Sequence, residues 1–541
     1  MAARNDLRKF VISDRGIFML IIAFLVSVSS CNIYATAIKN TPMNMNMNLN
    51  KKPRNHHRHN LAHRSSISTS NSIDSDETVQ VLERLLPTSL TVANQLQTRG
   101  GDTQKNKDKD TEGTASLSTS IFNLANNVAG AGLLTLAAGK AAGVTGWVPS
   151  ILICCSLAYM SSTTFILIGK ACELTGERTF KGLWSQAFGS GTAYIVDSIV
   201  FVQCFLSSTI YIGLLGDIFS ALLKGVTVSG NIGNVSGLQG VTSRTGIILL
   251  VAASILFPLN LIKNLSALAF TSILGLCAVM YTVLFMVFRA LDGSYSLGAG
   301  AGAGAGKFIV DKVLDPPPSF ALSTLFNFDL RSLVLISNFG LAFIAHYNAP
   351  SYYREMKKDT SESFPTMVRT SYAILALIYA TAMCAGYATF GDSARGNILL
   401  NYHPKDVLAL LGRLATGLSV IFGFPLVSNG AREGLKNASM ALGYPAISDP
   451  KNHMAVVLGM LTLGSIFAIL VKDIKVIAGF SGAAMGSFLV YICPPLIYTK
   501  ILKNMFGGDS LEYKRGRRYL AFVPFGLFIG VMGVTMTYKS M

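Results

Sequence analysis

The stretch NNVAGAGLLTLAAG, from Asn126 to Gly139, places two asparagines and three glycines in an otherwise apolar sequence. Each glycine weakens a helix by roughly 1 kcal/mol relative to alanine, and a buried amide needs a hydrogen-bonding partner. Two interpretations follow. The stretch is either a membrane helix that unwinds in its middle, or a soluble turn whose G-x-G belongs to a nucleotide-binding fingerprint.

The composition of the whole chain favours the membrane. Of 541 residues, 51% are hydrophobic and only 13% are charged, whereas a soluble domain carries about 25% charged residues. The apolar residues form runs of about 20, the length that crosses a bilayer, and short alternating segments typical of a barrel are missing. We number the runs as helices 1 to 11: 119–138, 145–171, 192–223, 244–262, 265–290, 331–351, 366–390, 405–429, 453–471, 475–502 and 518–537. The expected fold is an all-α polytopic membrane protein.

Other functional classes are disfavoured by the motifs. The glycine stretch lacks the third glycine of a dinucleotide fingerprint, and no acidic residue follows at the required distance. The net charge of +17 is not arranged as basic runs interleaved with aromatics, so no nucleic-acid partner is expected. The cysteines lie mostly inside spans without ligand spacing, and the group from His56 to His63 lies in a basic, solvated tail. We therefore expect no metal, no other cofactor and no enzymatic activity.

Basic residues mark the loops expected on the cytosolic side. They concentrate in four loops: 171–191, 352–365, 430–452 and 503–517. This bias places residue 118 in the cytosol and the C-terminus outside. It also places the N-x-S motif at Asn234 outside, where the asparagine is a glycosylation candidate.

The amino-terminal part divides into residues 1–37 and 38–117. The first segment has a basic flank and an apolar centre, GIFMLIIAFLVSVSS at 16–30, and is predicted to be a signal peptide or anchor. The second is polar and basic and is predicted to be disordered. A signal anchor, a two-step plastid address and a cleaved signal remain alternatives, so the plasma membrane, a vacuolar or lysosomal membrane and the plastid envelope all stay open.

The glycine stretch is best explained as a broken helix. Unwound backbone is tolerated in a membrane where it lines a cavity or a ligand, and transporters with inverted repeats place a second broken helix five spans later. Helix 6, RSLVLISNFGLAFIAHYNAP at 331–350, has Asn338 and Gly340 in its middle. The sequence thus predicts breaks in helices 1 and 6.

Several stretches together resemble the amino acid/auxin permease family, which includes the sodium-coupled neutral amino acid carriers. They are NLANNVAGAGLL at 123–134, FPLNLIKNLSALAFTSILG at 257–275, FIAHYNAPSYYREMK at 343–357, GYATFGDSARGNILLNY at 386–402 and FPLVSNGAREGL at 424–435. The resemblance spans 118–540. It implies an amino acid transporter domain over 118–541, with two five-helix inverted repeats, one extra helix and alternating access.

Breaks and resemblance together indicate the site. The predicted substrate-binding residues lie at the two breaks and in helix 3: Asn126, Asn127, Gly130, Ala131, Gly132, Tyr211, Asn338, Gly340 and Phe343. The predicted ion-coupling residues are His346, Thr416 and Ser419. Sodium sites in this fold often use hydroxyls of helix 8, which has few here, while His346 is titratable. These features favour H⁺ slightly over Na⁺.

The leading hypothesis is secondary active transport of amino acids coupled to one of these ions, in a lipid bilayer. A membrane amino acid sensor with a transporter fold and a channel are the alternatives. Arg413, near the start of helix 8, is expected to reach the membrane interface. The oligomeric state is left open.

Overall fold

The computed structural model describes residues 116–229, 243–261, 269–295, 308, 325–356 and 363–539. The predicted segment 1–37, nearly all of 38–117 and Asn234 lie outside these residues. The first helix among the described residues begins directly after Ser116, whose hydroxyl caps it by accepting a hydrogen bond from the Thr119 backbone N–H at 3.3 Å.

The described part contains ten helices long and apolar enough to cross a membrane, and a bent pair at its start makes eleven. In chain order they are Leu117–Val128 with Leu136–Ala142, Trp147–Thr175, Ser190–Leu223, Arg244–Leu261, Leu274–Leu291, Leu330–Glu355, Phe364–Ser393, Val407–Ala441, Pro450–Leu470, Ile474–Phe506 and Leu511–Lys539. They correspond one to one to helices 1–11. The all-α polytopic architecture predicted from the apolar runs is confirmed.

The helices form two groups. Helices 1, 2, 6 and 7 pack against one another and are called the bundle, and helices 3, 4, 8 and 9 form the scaffold, with helix 3 lying along helix 8. Helix 5 contacts helices 7 and 8, helix 10 contacts helices 6 and 3, and helix 11 lies along helix 10. Successive spans alternate in direction. One membrane surface, the near face, therefore holds the start of helix 1 and the ends of helices 2, 4, 6, 8 and 10; the opposite surface is the far face.

Helix 1 is broken where its glycines predict. The first half ends at Val128, Gly130 is extended, with φ −106° and ψ −153°, and a 3₁₀ turn over Ala131–Thr135 leads into Leu136–Ala142. The two halves differ in direction by 49°. The predicted break in helix 1 is confirmed.

Helix 6 is also broken, but later than predicted. Asn338 and Gly340 lie inside an unbroken helix, Leu333–Ala342, and the chain unwinds at Phe343–Ala345 before Ala349–Glu355. A Cβ atom at Gly340 would lie 2.8 Å from the carbonyl oxygen of Gly482 in helix 10. Gly340 therefore serves close helix packing and does not bend the chain.

The far face is closed by charged and aromatic side chains around the connection 391–406. The Arg289 guanidinium, at the end of helix 5, contacts both carboxylate oxygens of Asp406 at 2.6 and 2.9 Å. The Tyr295 hydroxyl donates to the same carboxylate at 2.8 Å. Burial and the neighbouring Asp406 raise the pKa of Tyr295, so its phenol stays protonated as a donor.

Arg413 does not reach the interface, so that prediction is wrong. It is 1% exposed, and its guanidinium donates to the carbonyl oxygens of Leu399 at 2.9 Å and Tyr402 at 2.6 Å. A buried cation is tolerable when carbonyl oxygens replace its hydration. Arg413 thus anchors the connection 391–406 to the scaffold.

Candidate functional site

A cavity of about 860 Å³ lies between the bundle and the scaffold, with walls from helices 1, 3, 5, 6 and 8. Ser118 and Arg354 line its end at the near face, and Gly130 and Tyr211 line its inner end at the break in helix 1. Small-molecule sites typically have volumes of about 300–1,000 Å³. The cavity can therefore hold a small solute against the broken backbone.

The break presents bare backbone to this cavity. Gly130 and Gly132 both line it, and Gly130 precedes the second half of helix 1 without any side-chain cap. The first N–H groups of a helix have no partner within the helix and lie at its positive end. Ala131 begins this turn. A negatively charged group of a solute would be stabilised here.

Tyr211, from helix 3, lies directly over the break. A Cβ atom at Gly130 would be 3.1 Å from the Tyr211 hydroxyl oxygen. The phenol therefore reaches across from the scaffold to the bundle at the point where the backbone is unwound. Its position fits the predicted role in contacting a bound solute.

Two tyrosines of helix 7 hold the carbonyl groups that the breaks release. The Tyr379 hydroxyl lies 2.7 Å from the carbonyl oxygen of Val128 and 2.9 Å from that of Ala342. The Tyr372 hydroxyl donates to the Phe343 carbonyl at 3.1 Å. One hydroxyl thus joins the end of the first half of helix 1 to the end of the first half of helix 6. Sequence reasoning missed both tyrosines.

We expect Tyr379→Phe to lower the maximal uptake rate about tenfold, because the hydroxyl that lies between the buried Val128 and Ala342 carbonyl oxygens is lost, at a cost of about 1–3 kcal/mol. The measurement is uptake by purified protein in liposomes, with thermal unfolding in parallel. Tyr491→Phe is the control, since the Tyr491 hydroxyl has only a 3.4 Å contact with Ser161. Equal rates for the two variants would argue against this role.

Uncharged oxygen atoms cluster beside Gly275 of helix 5. A Cβ atom at this glycine would lie 3.1 Å from Asn126 Oδ1 and 3.2 Å from Ser419 Oγ. Further along these helices, seven residues from Gly275 and three from Ser419, the hydroxyls of Thr282 and Thr416 are 3.1 Å apart. All of these residues line the cavity. Helices 1, 5 and 8 therefore bring hydroxyl and amide oxygens to one small region.

The near-face end of the cavity is lined by the second half of helix 6. The Tyr352 hydroxyl donates to the Asn123 carbonyl at 3.4 Å, and Asn127 lies on the same wall. Among the described lining residues, Arg354 and Glu355 are the only Asp, Glu, Lys or Arg side chains. They are adjacent in sequence in the second half of helix 6, and the residues that line the cavity at the break in helix 1, Gly130 and Tyr211 among them, are uncharged.

The structure divides the predicted site residues into two sets, apart from Ala131, whose side chain lies outside the described part. Seven line the cavity: Asn126, Asn127, Gly130, Gly132, Tyr211, Thr416 and Ser419. Asn338, Gly340 and Phe343 lie elsewhere. Asn338 donates to the Thr135 carbonyl at 3.3 Å, and Phe343 packs on Phe339 with ring centroids 5.7 Å apart. These three residues pack around the two breaks and do not face the cavity.

His346 also lies outside the cavity. It is fully buried, and its Nε2 atom lies 3.0 Å from both the Ser161 carbonyl oxygen and the Thr164 hydroxyl of helix 2. Because a carbonyl only accepts, Nε2 carries the proton and the ring is a donor there. His346 therefore joins the break in helix 6 to helix 2.

A hydrogen-bonded chain missed by sequence reasoning connects helix 10 to the cavity wall. The Ser481 hydroxyl donates to the Gln203 side-chain oxygen at 2.9 Å, and the Gln203 amide donates to the Ser207 hydroxyl at 3.1 Å. Ser207 lines the cavity. A glutamine in a span was the available signal, since a buried amide needs partners.

Comparisons with known proteins identify the family to which the chain is similar. The family described as transmembrane amino acid transporter protein matches residues 113–539. Sodium-coupled neutral amino acid symporter 2 of Danio rerio is 24% identical over 407 residues, covering 72% of this chain and 77% of that protein. Solute carrier family 38 member 10 of Homo sapiens is 24% identical over 400 residues, covering 71% of this chain and 32% of that protein.

The match to the family extends over nearly all of the described helices, from before helix 1 to the end of helix 11. The cavity, the bare backbone of helix 1 and the two breaks are the features such a transporter needs. This chain therefore belongs to the transmembrane amino acid transporter family, and it carries amino acids across a membrane.

Proposed function

We propose that the chain is a symporter that couples the movement of a neutral amino acid to that of Na⁺. The observation that carries the proposal is the pairing of two features at one break. Bare backbone of helix 1 lies on one side, and the oxygen atoms beside Gly275 lie on the other.

The backbone of an amino acid fits the break in helix 1. Its carboxylate would be bound by the free N–H groups at Ala131 and Gly132, at the positive end of a half-helix. Its ammonium group would be bound by carbonyl groups at the end of Leu117–Val128, which lack partners within that helix. The Tyr211 hydroxyl would close over this arrangement.

The lack of fixed charge deep in the cavity supports a neutral side chain. A charged substrate side chain would lose its hydration at the break and find no opposite charge there, and this desolvation is costly in a low-dielectric site. Arg354 and Glu355 are adjacent residues of opposite sign in the second half of helix 6, so together they add no net charge to the cavity. We therefore propose neutral amino acids as the substrate class.

Na⁺ is proposed over H⁺ because of where the oxygen atoms and the histidine lie. Hard cations prefer oxygen ligands, and Asn126 and Ser419 flank one spot within the cavity. His346, the residue that had favoured H⁺, is buried against helix 2 and away from the cavity. The Danio rerio relative is itself named a sodium-coupled symporter, which supports the same choice.

The transport cycle would alternate between two states. The present conformation is open toward the near face, because the cavity reaches Ser118 and Arg354 there. It is closed at the far face by the connection 391–406. Opening the far face requires the bundle to move relative to the scaffold.

The test is uptake by purified protein in liposomes. An inward Na⁺ gradient at constant pH, with the interior negative, should drive accumulation of a labelled neutral amino acid such as alanine. One charge moved through 100 mV contributes about 2.3 kcal/mol, enough for roughly 50-fold accumulation. Arginine and glutamate serve as charged competitors and should not inhibit.

Two other outcomes would contradict the proposal in different ways. Accumulation driven by a pH gradient without Na⁺ would establish proton coupling instead. Specific binding of an amino acid without uptake under any ion gradient would favour the sensor. Liposomes without protein provide the background for both.

A further inference from the structure

The connection between helices 10 and 11 carries a strongly basic surface at the near face. We call it the basic collar and define it by five exposed side chains: Lys503, Lys514, Arg515, Arg517 and Arg518. Asp509 and Glu512 are the acidic residues within the same segment. The collar therefore has a clear excess of positive charge.

Most of these cations have no protein partner. Within the described residues, Lys503, Lys514, Arg515 and Arg517 make no side-chain hydrogen bond or ion pair. Arg518 donates only to the neighbouring Tyr519 hydroxyl, at 3.1 Å. By contrast, Arg244, Arg289 and Arg413 elsewhere are paired or bound to carbonyls. The collar is thus free to bind an anion from outside the protein.

The collar lies at the membrane boundary. Helix 10 ends at Phe506, and the short helix Leu511–Gly516 packs back on it, with Gly516 against Leu502. Exposed apolar side chains lie among the cations: Met505 is 51%, Phe506 45% and Leu511 56% exposed. Apolar groups beside lysines and arginines are typical of a segment that lies in the lipid headgroup region.

We propose that the basic collar binds the headgroups of anionic phospholipids in the leaflet at the near face. Arginine guanidinium groups bind phosphate in a bidentate manner, and lysine adds a point charge. The exposed Met505, Phe506 and Leu511 would contact the acyl region of the same lipids. This binding would stabilise helices 10 and 11, which hold the first half of helix 6.

The test uses the purified full chain in nanodiscs of phosphatidylcholine with increasing phosphatidylserine. Phosphatidylserine should raise the melting temperature by several degrees, and native mass spectrometry should show it retained over phosphatidylcholine. A triple variant, Lys514→Gln, Arg515→Gln and Arg517→Gln, should lose the shift. Its affinity for phosphatidylserine should fall about 100-fold, at about fivefold for each charge.

A charge-matched control removes three exposed cations at the far face: Arg395→Gln, Lys405→Gln and Lys472→Gln. This control should keep both the shift and the retained lipid. A collar variant that responds like the wild type would overturn the proposal. Equal responses to both lipids, or a shift produced fully by inorganic phosphate alone, would overturn it as well. Size-exclusion profiles confirm that each variant is folded.

Discussion

Replacing Gly132 by valine should reduce amino acid uptake to background while the protein still reaches the membrane. A Cβ atom at Gly132 would lie 2.8 Å from Ala342 Cα and 2.9 Å from Ala342 Cβ. Backbone atoms cannot give way at that distance without separating helix 6 from helix 1. A branched side chain would also fill space beside the bare backbone that the carboxylate needs.

The controls separate this effect from misfolding. Gly459→Val, in helix 9, introduces the same side chain where no atom lies within 4 Å, and it should transport normally. Gly132→Ala, which already carries the clashing Cβ atom, should also be strongly impaired. Uptake is measured at matched amounts of protein in the membrane. Full activity of Gly132→Val would contradict the role assigned to the break in helix 1.

The break in helix 1 could be predicted because its cause is local. Gly130 and Gly132 weaken the helix themselves, and Asn126 and Asn127 add amides that lipid cannot satisfy. Both signals are present in 14 consecutive residues, and the structure places the break among them. Apolar runs of span length likewise predicted each of the eleven helices.

The position of the break in helix 6 was predicted wrongly because a glycine in a membrane helix can either weaken the helix or allow another helix to pack closely against it. Gly340 looks as breakable as Gly130, yet its missing Cβ allows contact with Gly482 of helix 10. The partner of a packing glycine lies far away in sequence, so the two uses cannot be separated before the fold is known. The actual break, at Phe343–Ala345, is apolar and carries no local signal.

The roles of other residues depend wholly on tertiary contacts and cannot be predicted from the sequence. Tyr379 lies in an apolar helix and resembles an ordinary core aromatic, until its hydroxyl is seen between Val128 and Ala342. His346, by contrast, looked functional in the sequence but does not line the cavity. A titratable group in a span is a functional hypothesis, but its ring reaches helix 2 and not the cavity.

The second large effect is expected at Gly275. Changing it to alanine places a methyl group between Asn126 Oδ1 and Ser419 Oγ, at 3.1 and 3.2 Å. A cation bound there would be displaced or would lose a ligand. We expect the Na⁺ concentration for half-maximal uptake to rise at least about tenfold, which corresponds to about 1.4 kcal/mol. Ser419→Ala, which removes one oxygen, should produce a similar rise.

Gly423→Ala is the matched control for this experiment. Gly423 also lines the cavity, but a Cβ atom there would have only an ordinary 3.6 Å contact with Tyr211. It should leave the Na⁺ dependence unchanged. Exchange of amino acid at saturating Na⁺ should persist in Gly275→Ala, because the backbone groups that bind the substrate are intact. An unchanged Na⁺ dependence in both Gly275→Ala and Ser419→Ala would exclude the oxygen cluster as the sodium site. If uptake were instead driven by pH, the coupling proton would have to bind at another group, either Glu355, which lines the cavity, or His346 in a different state of the cycle.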